Sequence, residues 1–88
     1  MPYKVLIAKP VQKQINKLPL DIQLRIDAKV QALATDPRPE GVRKLKGYDS
    51  EYRIRVSSYR VRYEIDDDEN TVRILQCRHR KDIYRDRD

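Results

Sequence analysis

The residues from Glu51 to Ile65 alternate between apolar and charged, mostly basic, side chains through two consecutive runs. Successive side chains of a β-strand point to opposite faces, so the alternation predicts two strands, 51–56 and 59–65, each with one apolar and one charged face. If the runs pair as a hairpin through the two serines between them, their arginines converge on one surface and repel each other across the strands. The pattern therefore predicts a sheet surface that would bind an anionic partner.

The composition agrees with an anionic partner. The chain has 88 residues, with 20 Lys and Arg against 14 Asp and Glu, and a formal net charge of +6. This length predicts a single domain, 1–88, with a small core. Many of the basic residues follow residue 42, interrupted once by the acidic run 66–69, which predicts a turn. Such placement favours a polyanion over the alternative that the charge only keeps a small domain soluble.

The sequence lacks the residues that several familiar kinds of functional site require. The chain has one cysteine, Cys77, which predicts no intrachain disulfide and no cysteine-rich zinc site, and which we expect in or near the core. Two glycines do not make a phosphate-binding loop, and one histidine beside one cysteine is not a metal ligand set. No segment resembles a signal peptide or membrane span. We therefore expect no cofactor, no metal and a cytoplasmic protein.

The residues before the hairpin predict one strand and two helices. Residues 3–8 form a β-branched and apolar run typical of a strand. Apolar residues then recur at helical spacing, first after Pro10 and again after Pro19, and prolines at 37 and 39 end the second helix. The apolar residues of the two helices are Val11, Ile15, Leu18, Ile22, Ile26, Val30 and Leu33. This stripe must be buried, and the sheet is the apolar surface that can receive it.

Two further strands complete the prediction, a short one at 43–46 and a last one at 71–78. The adjacent apolar residues Ile74 and Leu75 predict that the last strand is central and covered on both faces. The tail 82–88 predicts a helical turn or a frayed end. The expected order is strand, helix, helix and four strands, an α+β domain with a mainly antiparallel, twisted sheet. The helical hairpin would cover one face and leave a basic, concave face open.

The residues that remain for chemistry are arginine, one histidine and tyrosine. This set suits cleavage of RNA through its own 2′-hydroxyl, because the substrate then supplies the nucleophile. The protein must hold the backbone for in-line attack and stabilise the charge of the phosphorane, and guanidinium groups do both. Arginine is a poor general base because it stays charged at any working pH. Proton transfer would need His79, Tyr84 or the surroundings of the substrate.

Four segments together resemble the RelE branch of the RelE/ParE toxin superfamily, over nearly the whole chain. They are Leu45-Lys-Gly47, Tyr52-Arg-Ile-Arg-Val56, Tyr59-Arg-Val-Arg-Tyr-Glu-Ile65 and His79-Arg-Lys-Asp-Ile-Tyr84. The resemblance implies a toxin of a type II toxin–antitoxin system that enters the ribosomal A site and cuts mRNA. It also implies a cognate antitoxin that holds the toxin inactive, with operator DNA contacted only indirectly through that antitoxin.

The resemblance also implies roles for individual residues. The catalytic positions would be Arg53, Arg55, Arg60, His79, Arg80 and Tyr84. Arg53 and Arg55 would orient and activate the substrate. Arg60 would stabilise the scissile phosphate, and Arg80 would help the leaving group. Tyr84 would stack on a base, and His79 belongs to the C-terminal motif. Other basic residues that we expect to bind RNA are Lys44, Lys46, Arg62, Arg73, Arg78 and Lys81.

Other interpretations stay open on sequence alone. The arginines of the hairpin could be the solvated face of an exposed sheet, His79 an ordinary surface residue, and Tyr84 an anchor for the tail. A ParE-like chain would share the fold but inhibit DNA gyrase without catalysis, although such chains generally lack this set of arginine, histidine and tyrosine. A catalytically idle protein that binds RNA or an antitoxin would need only the basic face.

Overall fold

The computed structural model describes residues 2–39, 42–44 and 51–81. Their elements are β1 (Lys4–Ile7), α1 (Lys9–Asn16), α2 (Leu20–Ala32), β2 (Arg43–Lys44), β3 (Glu51–Val56), β4 (Tyr59–Asp66) and β5 (Thr71–His79). The predicted order of a strand, two helices and four strands is confirmed. Two predicted site residues, Lys46 and Tyr84, lie outside the described residues, as does the predicted tail.

The five strands form one sheet in the order β1-β5-β4-β3-β2. All neighbouring pairs are antiparallel except β1 and β5, which are parallel. The chain passes through both helices between β1 at one edge and β2 at the other, so the helices cover a single face. There α1 contacts β5 and α2 contacts β3. This arrangement confirms the predicted α+β class. Neither helix is long and apolar enough to cross a membrane.

The core lies between the helices and the apolar face of the sheet. Its buried residues are Val11, Ile15, Ile26, Val30, Leu33, Tyr52, Ile54, Val56, Val61, Tyr63, Ile65, Val72, Ile74 and Cys77. These are largely the residues that helical spacing and strand alternation predict, although Leu18 and Ile22 are only partly buried. Burial raises the pKa of the Cys77 thiol to about 11. The predicted core position of this cysteine is confirmed.

The predicted cover on both faces of the last strand is wrong. β5 is central in the sheet, between β1 and β4, but Leu75 remains 39% exposed. The two adjacent apolar residues instead mark a β-bulge, because Arg62 pairs with Gln76 while its neighbour Tyr63 pairs with Ile74. Leu75 is the extra residue, and a bulge reverses the faces of the residues that follow it.

The hairpin between β3 and β4 is present as predicted. Val56 pairs with Tyr59, which leaves Ser57 and Ser58 as a two-residue turn. Ser57 has a φ of 56°, the left-handed conformation that primed hairpin turns require at their first central position. The pairing fixes the register of both strands and therefore the face on which each arginine lies.

A polar cluster connects the segment after α2 to the sheet. Arg38 donates from Nη2 to Asp67 Oδ2 at 2.9 Å and from Nε to the hydroxyl of Tyr52 at 3.2 Å. The hydroxyl of Tyr3 donates to Asp67 Oδ1 at 2.6 Å. The buried Tyr63 donates its hydroxyl to the carbonyl oxygen of Pro37 at 2.8 Å. These bonds hold the chain as it leaves the helices and approaches β2.

Candidate active site

The register of the sheet places two rows of three arginines on the face opposite the helices, and Arg73, paired with Glu64, lies on the same face beyond them. In the first row Arg43 pairs with Arg53, and Arg53 pairs with Arg62. The second row consists of Arg55, Arg60 and Arg78. The predicted convergence of the hairpin arginines is therefore present, and β2 and β5 each add one more to the two rows. We call this surface the arginine face.

A groove of about 450 Å³ lies on the arginine face. Its lining residues are Arg43, Arg53, Ile54, Arg55 and Arg60. None of the lining residues within the described ranges is acidic, so the groove concentrates positive charge. Guanidinium forks in such a groove can bind phosphate oxygens through paired hydrogen bonds. The described residues contain no group of His, Cys, Asp or Glu that could hold a metal ion.

Among the described residues, acidic side chains form ion pairs with two arginines of the arginine face. Arg62 forms an ion pair with Glu51, with Nη2 at 2.6 Å and Nε at 2.8 Å from Oε1. Arg73 pairs with Glu64 at 3.2 Å and lies 3.9 Å from Asp66. These two arginines, predicted to bind RNA, thus have acidic partners within the fold. They lie outside the residues that line the groove.

Three other arginines of the face differ from these two. Within the described residues, Arg43, Arg55 and Arg60 form no ion pair. Arg78 lies in the same row as Arg60, where Nε and Nη2 donate at 3.0 Å and 3.2 Å to the amide oxygen of Gln76 in the orientation that satisfies both groups. Among the described residues, the positive charges without an acidic partner therefore include Arg55 and Arg60, the opposed pair nearest the hairpin turn.

His79 lies on the opposite face from the arginines. It pairs with Tyr59, whose ring it meets edge-on with centroids 5.1 Å apart, and its Nδ1 accepts a hydrogen bond from the backbone N–H of Lys81 at 3.2 Å. That bond assigns the proton of the neutral ring to Nε2. The bulge at Leu75 explains this position, because it moves Arg78 onto the arginine face and His79 away from it.

The remaining predicted residues lie at the borders of the site. Arg80 follows β5 with an exposed side chain, and its backbone N–H donates to the carbonyl oxygen of Ser58 at 2.8 Å, beside the hairpin turn. Lys81 is exposed next to it. Lys44 pairs with Tyr52 and so lies on the helix side of the edge strand. Arg43 was not among the predicted site residues, because only the pairing of β2 with β3 reveals that it faces the groove.

Known proteins resemble this chain in sequence over nearly its whole length. Residues 5–84 match the family described as the ParE toxin of type II toxin-antitoxin system, parDE. Toxin RelE3 of Methanocaldococcus jannaschii is 34% identical over 92% of this chain and 94% of its own. Toxin RelG of Mycobacterium tuberculosis is 33% identical over 97% of this chain and 99% of its own.

Solved structures show the same fold. The archaeal RelE–RelB complex from Pyrococcus horikoshii contains a chain that superposes with a TM-score of 0.83 at 32% identity, covering 91% of this chain and 97% of that one. The RelB–RelE antitoxin–toxin complex from Methanococcus jannaschii gives 0.74 at 30% identity, with 90% and 94% covered. The resemblance found in the four sequence segments is thereby confirmed. The chain belongs to the RelE branch of the RelE/ParE superfamily and is a toxin of a type II toxin–antitoxin system.

Proposed function

We propose that this toxin is a ribosome-dependent endoribonuclease that cuts mRNA in the A site and so inhibits translation in the cytoplasm. The observation that carries the proposal is the groove lined by Arg43, Arg53, Arg55 and Arg60, with no acidic residue among its described lining. A groove of this kind attracts and orients a phosphodiester. The resemblance to RelE toxins supports the proposed reaction class, which is cleavage by attack of the substrate's 2′-hydroxyl on the scissile phosphate.

The groove is suited to the electrostatic part of this reaction. Attack of the 2′-oxygen places additional negative charge on the phosphorane oxygens, and the bond to the leaving 5′-oxygen then breaks to give a cyclic phosphate. Fixed guanidinium groups stabilise this charge without reorganising, which accounts for much of the rate in comparable sites. Arg53 and Arg55 would align the backbone, and Arg60, paired with Arg55 across the strands, would contact the scissile phosphate.

Proton transfer has to come from other groups, because arginine holds its proton at working pH. Arg80 is exposed at the end of β5, next to the row of Arg55, Arg60 and Arg78, and would support the leaving 5′-oxygen electrostatically. Tyr84 is proposed to stack on a substrate base, as the resemblance implies. His79 faces the other side of the sheet, so a role for it requires the substrate to reach around the end of β5.

We also propose that a cognate antitoxin inhibits this toxin. Two of the similar solved structures are complexes of a RelE toxin with a RelB antitoxin. An antitoxin segment with acidic side chains would be complementary to the groove and would compete with phosphate for Arg55 and Arg60. Contact with operator DNA would then occur through the antitoxin.

The test is addition of the purified toxin to a reconstituted translation system, followed by primer extension on the mRNA. We expect cuts within the A-site codon that appear only when ribosomes are translating. The matched control is Lys13→Gln, which removes an exposed cation on α1 away from the groove. Continued protein synthesis without A-site cuts would reject the proposed activity.

Gyrase inhibition is the second candidate, favoured by the description of the matching family as the ParE toxin. A gyrase inhibitor needs no groove for a phosphodiester, and the arginines that line the groove therefore favour the nuclease. The two activities separate in a supercoiling assay with purified gyrase. We expect supercoiling to proceed at toxin concentrations that stop translation.

A further inference from the structure

A second groove, of about 630 Å³, lies between α2 and the end of β3. Its lining residues are Arg25, Ala28, Lys29, Arg55, Val56 and Ser57. Arg55 also lines the groove on the arginine face. The two grooves therefore share Arg55, which lies near the end of β3.

The second groove combines an apolar floor with a basic rim. Ala28 and Val56 contribute apolar surface, and the aliphatic parts of Arg25 and Lys29 can extend it while their charged ends stay in solvent. None of the lining residues within the described ranges is acidic. The rim therefore has the charge that a phosphate backbone requires.

The two cationic side chains of α2 that line the second groove repel each other. Arg25 and Lys29 are exposed and four residues apart on α2, where like charges lie on the same side of the helix and repel. Within the described residues neither forms an ion pair. An anionic ligand between them and Arg55 would relieve this repulsion, as the proposed substrate does for Arg55 and Arg60.

We propose that the second groove is an auxiliary phosphate-binding subsite for RNA. An RNA strand that passes from the first groove into the second at Arg55 would place backbone phosphates at Arg25 and Lys29. This inference rests on the proposed function, which puts RNA in the first groove. The subsite would bind without sequence preference, because its charged groups are suited to phosphates and do not read base edges. The proposal commits to RNA because the groove shares Arg55 with the proposed nuclease site, and binding of an acidic peptide is an outcome of the test.

The subsite is tested by direct binding, separately from cleavage. A fluorescently labelled 2′-O-methyl RNA of about 12 nucleotides, long enough to extend beyond one groove, is titrated with the toxin between about 50 and 200 mM salt. The 2′-O-methyl groups prevent attack on the phosphate. The variant is Arg25→Gln/Lys29→Gln, and the matched control is Lys9→Gln/Lys13→Gln, an exposed pair with the same spacing on α1. Glutamine preserves helix formation at both pairs.

We expect the α2 variant to weaken RNA binding about tenfold at low salt and to reduce the slope of log K against log salt by about 1.4, which corresponds to two lost phosphate contacts. The α1 control should change the affinity less than about twofold. Absence of RNA binding by the unmodified toxin would overturn the proposal. So would equal losses in both variants, no loss in the α2 variant, or α2-dependent binding of a polyglutamate peptide without α2-dependent binding of RNA.

The primer-extension assay keeps the two proposals distinguishable. If the toxin cuts no mRNA but still binds the oligonucleotide through Arg25 and Lys29, the nuclease proposal fails and the subsite stands. If the toxin cuts mRNA and the α2 variant binds the oligonucleotide as tightly as the unmodified protein, the subsite fails alone.

Discussion

Arg55 on β3 and Arg60 on β4 face each other directly across the antiparallel pair of strands. Directly opposed like charges destabilise a strand pair, and neither arginine forms an ion pair within the described residues. Two positions away on the same strands, Arg62 is neutralised by Glu51. The sheet therefore leaves uncompensated charge at the end where phosphate is proposed to bind.

The first prediction concerns Arg60→Gln. We expect A-site cleavage to fall by about 10²- to 10³-fold, as when one donor is removed from a preorganised anion site. The free energy of unfolding should stay constant or rise by up to about 0.5 kcal/mol, because the repulsion with Arg55 is removed. Primer extension measures the first quantity and urea unfolding the second.

A matched control shows whether the loss belongs to the groove. Lys13→Gln removes one positive charge from an exposed position on α1 and should leave cleavage within about twofold. Full cleavage by Arg60→Gln would remove this arginine from the catalytic groove. If the same variant also has a much lower free energy of unfolding, its loss of cleavage would instead be attributed to misfolding.

The second prediction concerns His79→Gln. Loss of a general acid or base typically lowers a rate by about 10²- to 10⁴-fold. Because His79 pairs with Tyr59 on the face opposite the arginines, we expect cleavage to fall by less than about tenfold. Single-turnover cleavage by the variant and by the unmodified toxin across pH 5 to 8 is the measurement. Disappearance of a pH-dependent step in the variant, together with a large rate loss, would make His79 catalytic.

Sequence alternation was sufficient to predict the hairpin and the face on which Arg53, Arg55 and Arg60 lie. It could not predict the bulge at Leu75, because the extra residue is visible only once β5 is paired with β4. That bulge reverses the faces of all later residues of the strand, so Arg78 joins the arginines and His79 leaves them. Alternation therefore fails for β5, where the face of each later residue depends on how the strand pairs with β4.

The electrostatic pattern of the face also depends on pairing. The sequence contains Glu51, Glu64 and Asp66, but which arginine each would neutralise follows from register and side-chain reach. Arg43 illustrates the same limit, since its two-residue strand carries too little pattern to indicate a face. Local rules thus predict which residues are charged and exposed, and tertiary pairing determines which of them lie together.

The third prediction concerns acid stability. Hydrogen bonds from Arg38 and Tyr3 lower the pKa of Asp67 below its usual value near 3.8. A folded-state pKa below the unfolded value means that the contribution to stability is complete well above pH 3.8 and is lost as pH falls through the folded pKa. We expect the free energy of unfolding of Asp67→Asn to fall less steeply with decreasing pH than that of the unmodified protein. Thermal or urea unfolding from pH 7 to pH 2 measures it.

Asp68→Asn is the matched control for this prediction, because Asp68 is exposed in the same turn and forms no ion pair among the described residues. The control should keep the acid limb of the unmodified protein. If both variants give the same profile, the contacts of Asp67 with Arg38 and Tyr3 do not contribute to acid stability.

The fourth prediction concerns the two residues with positive φ. Ser57 (φ 56°) lies in the hairpin turn, and Asn70 (φ 49°) precedes β5. The left-handed conformation is costly for most residues with a Cβ, is tolerated better by asparagine, and has no steric cost for glycine. Part of the gain from glycine is offset because glycine loses more backbone entropy on folding.

We therefore expect Ser57→Gly to raise the free energy of unfolding by about 0.5 to 1 kcal/mol and the melting temperature by several degrees. Asn70→Gly should change stability by less than about 0.5 kcal/mol, because asparagine already accommodates this conformation. Urea unfolding of the two variants under identical conditions gives the comparison. A larger stabilisation at Asn70 than at Ser57 would contradict this prediction. It would mean that steric strain at Ser57 in the hairpin turn does not limit the stability of the β3–β4 pair, which carries Arg55 and Arg60.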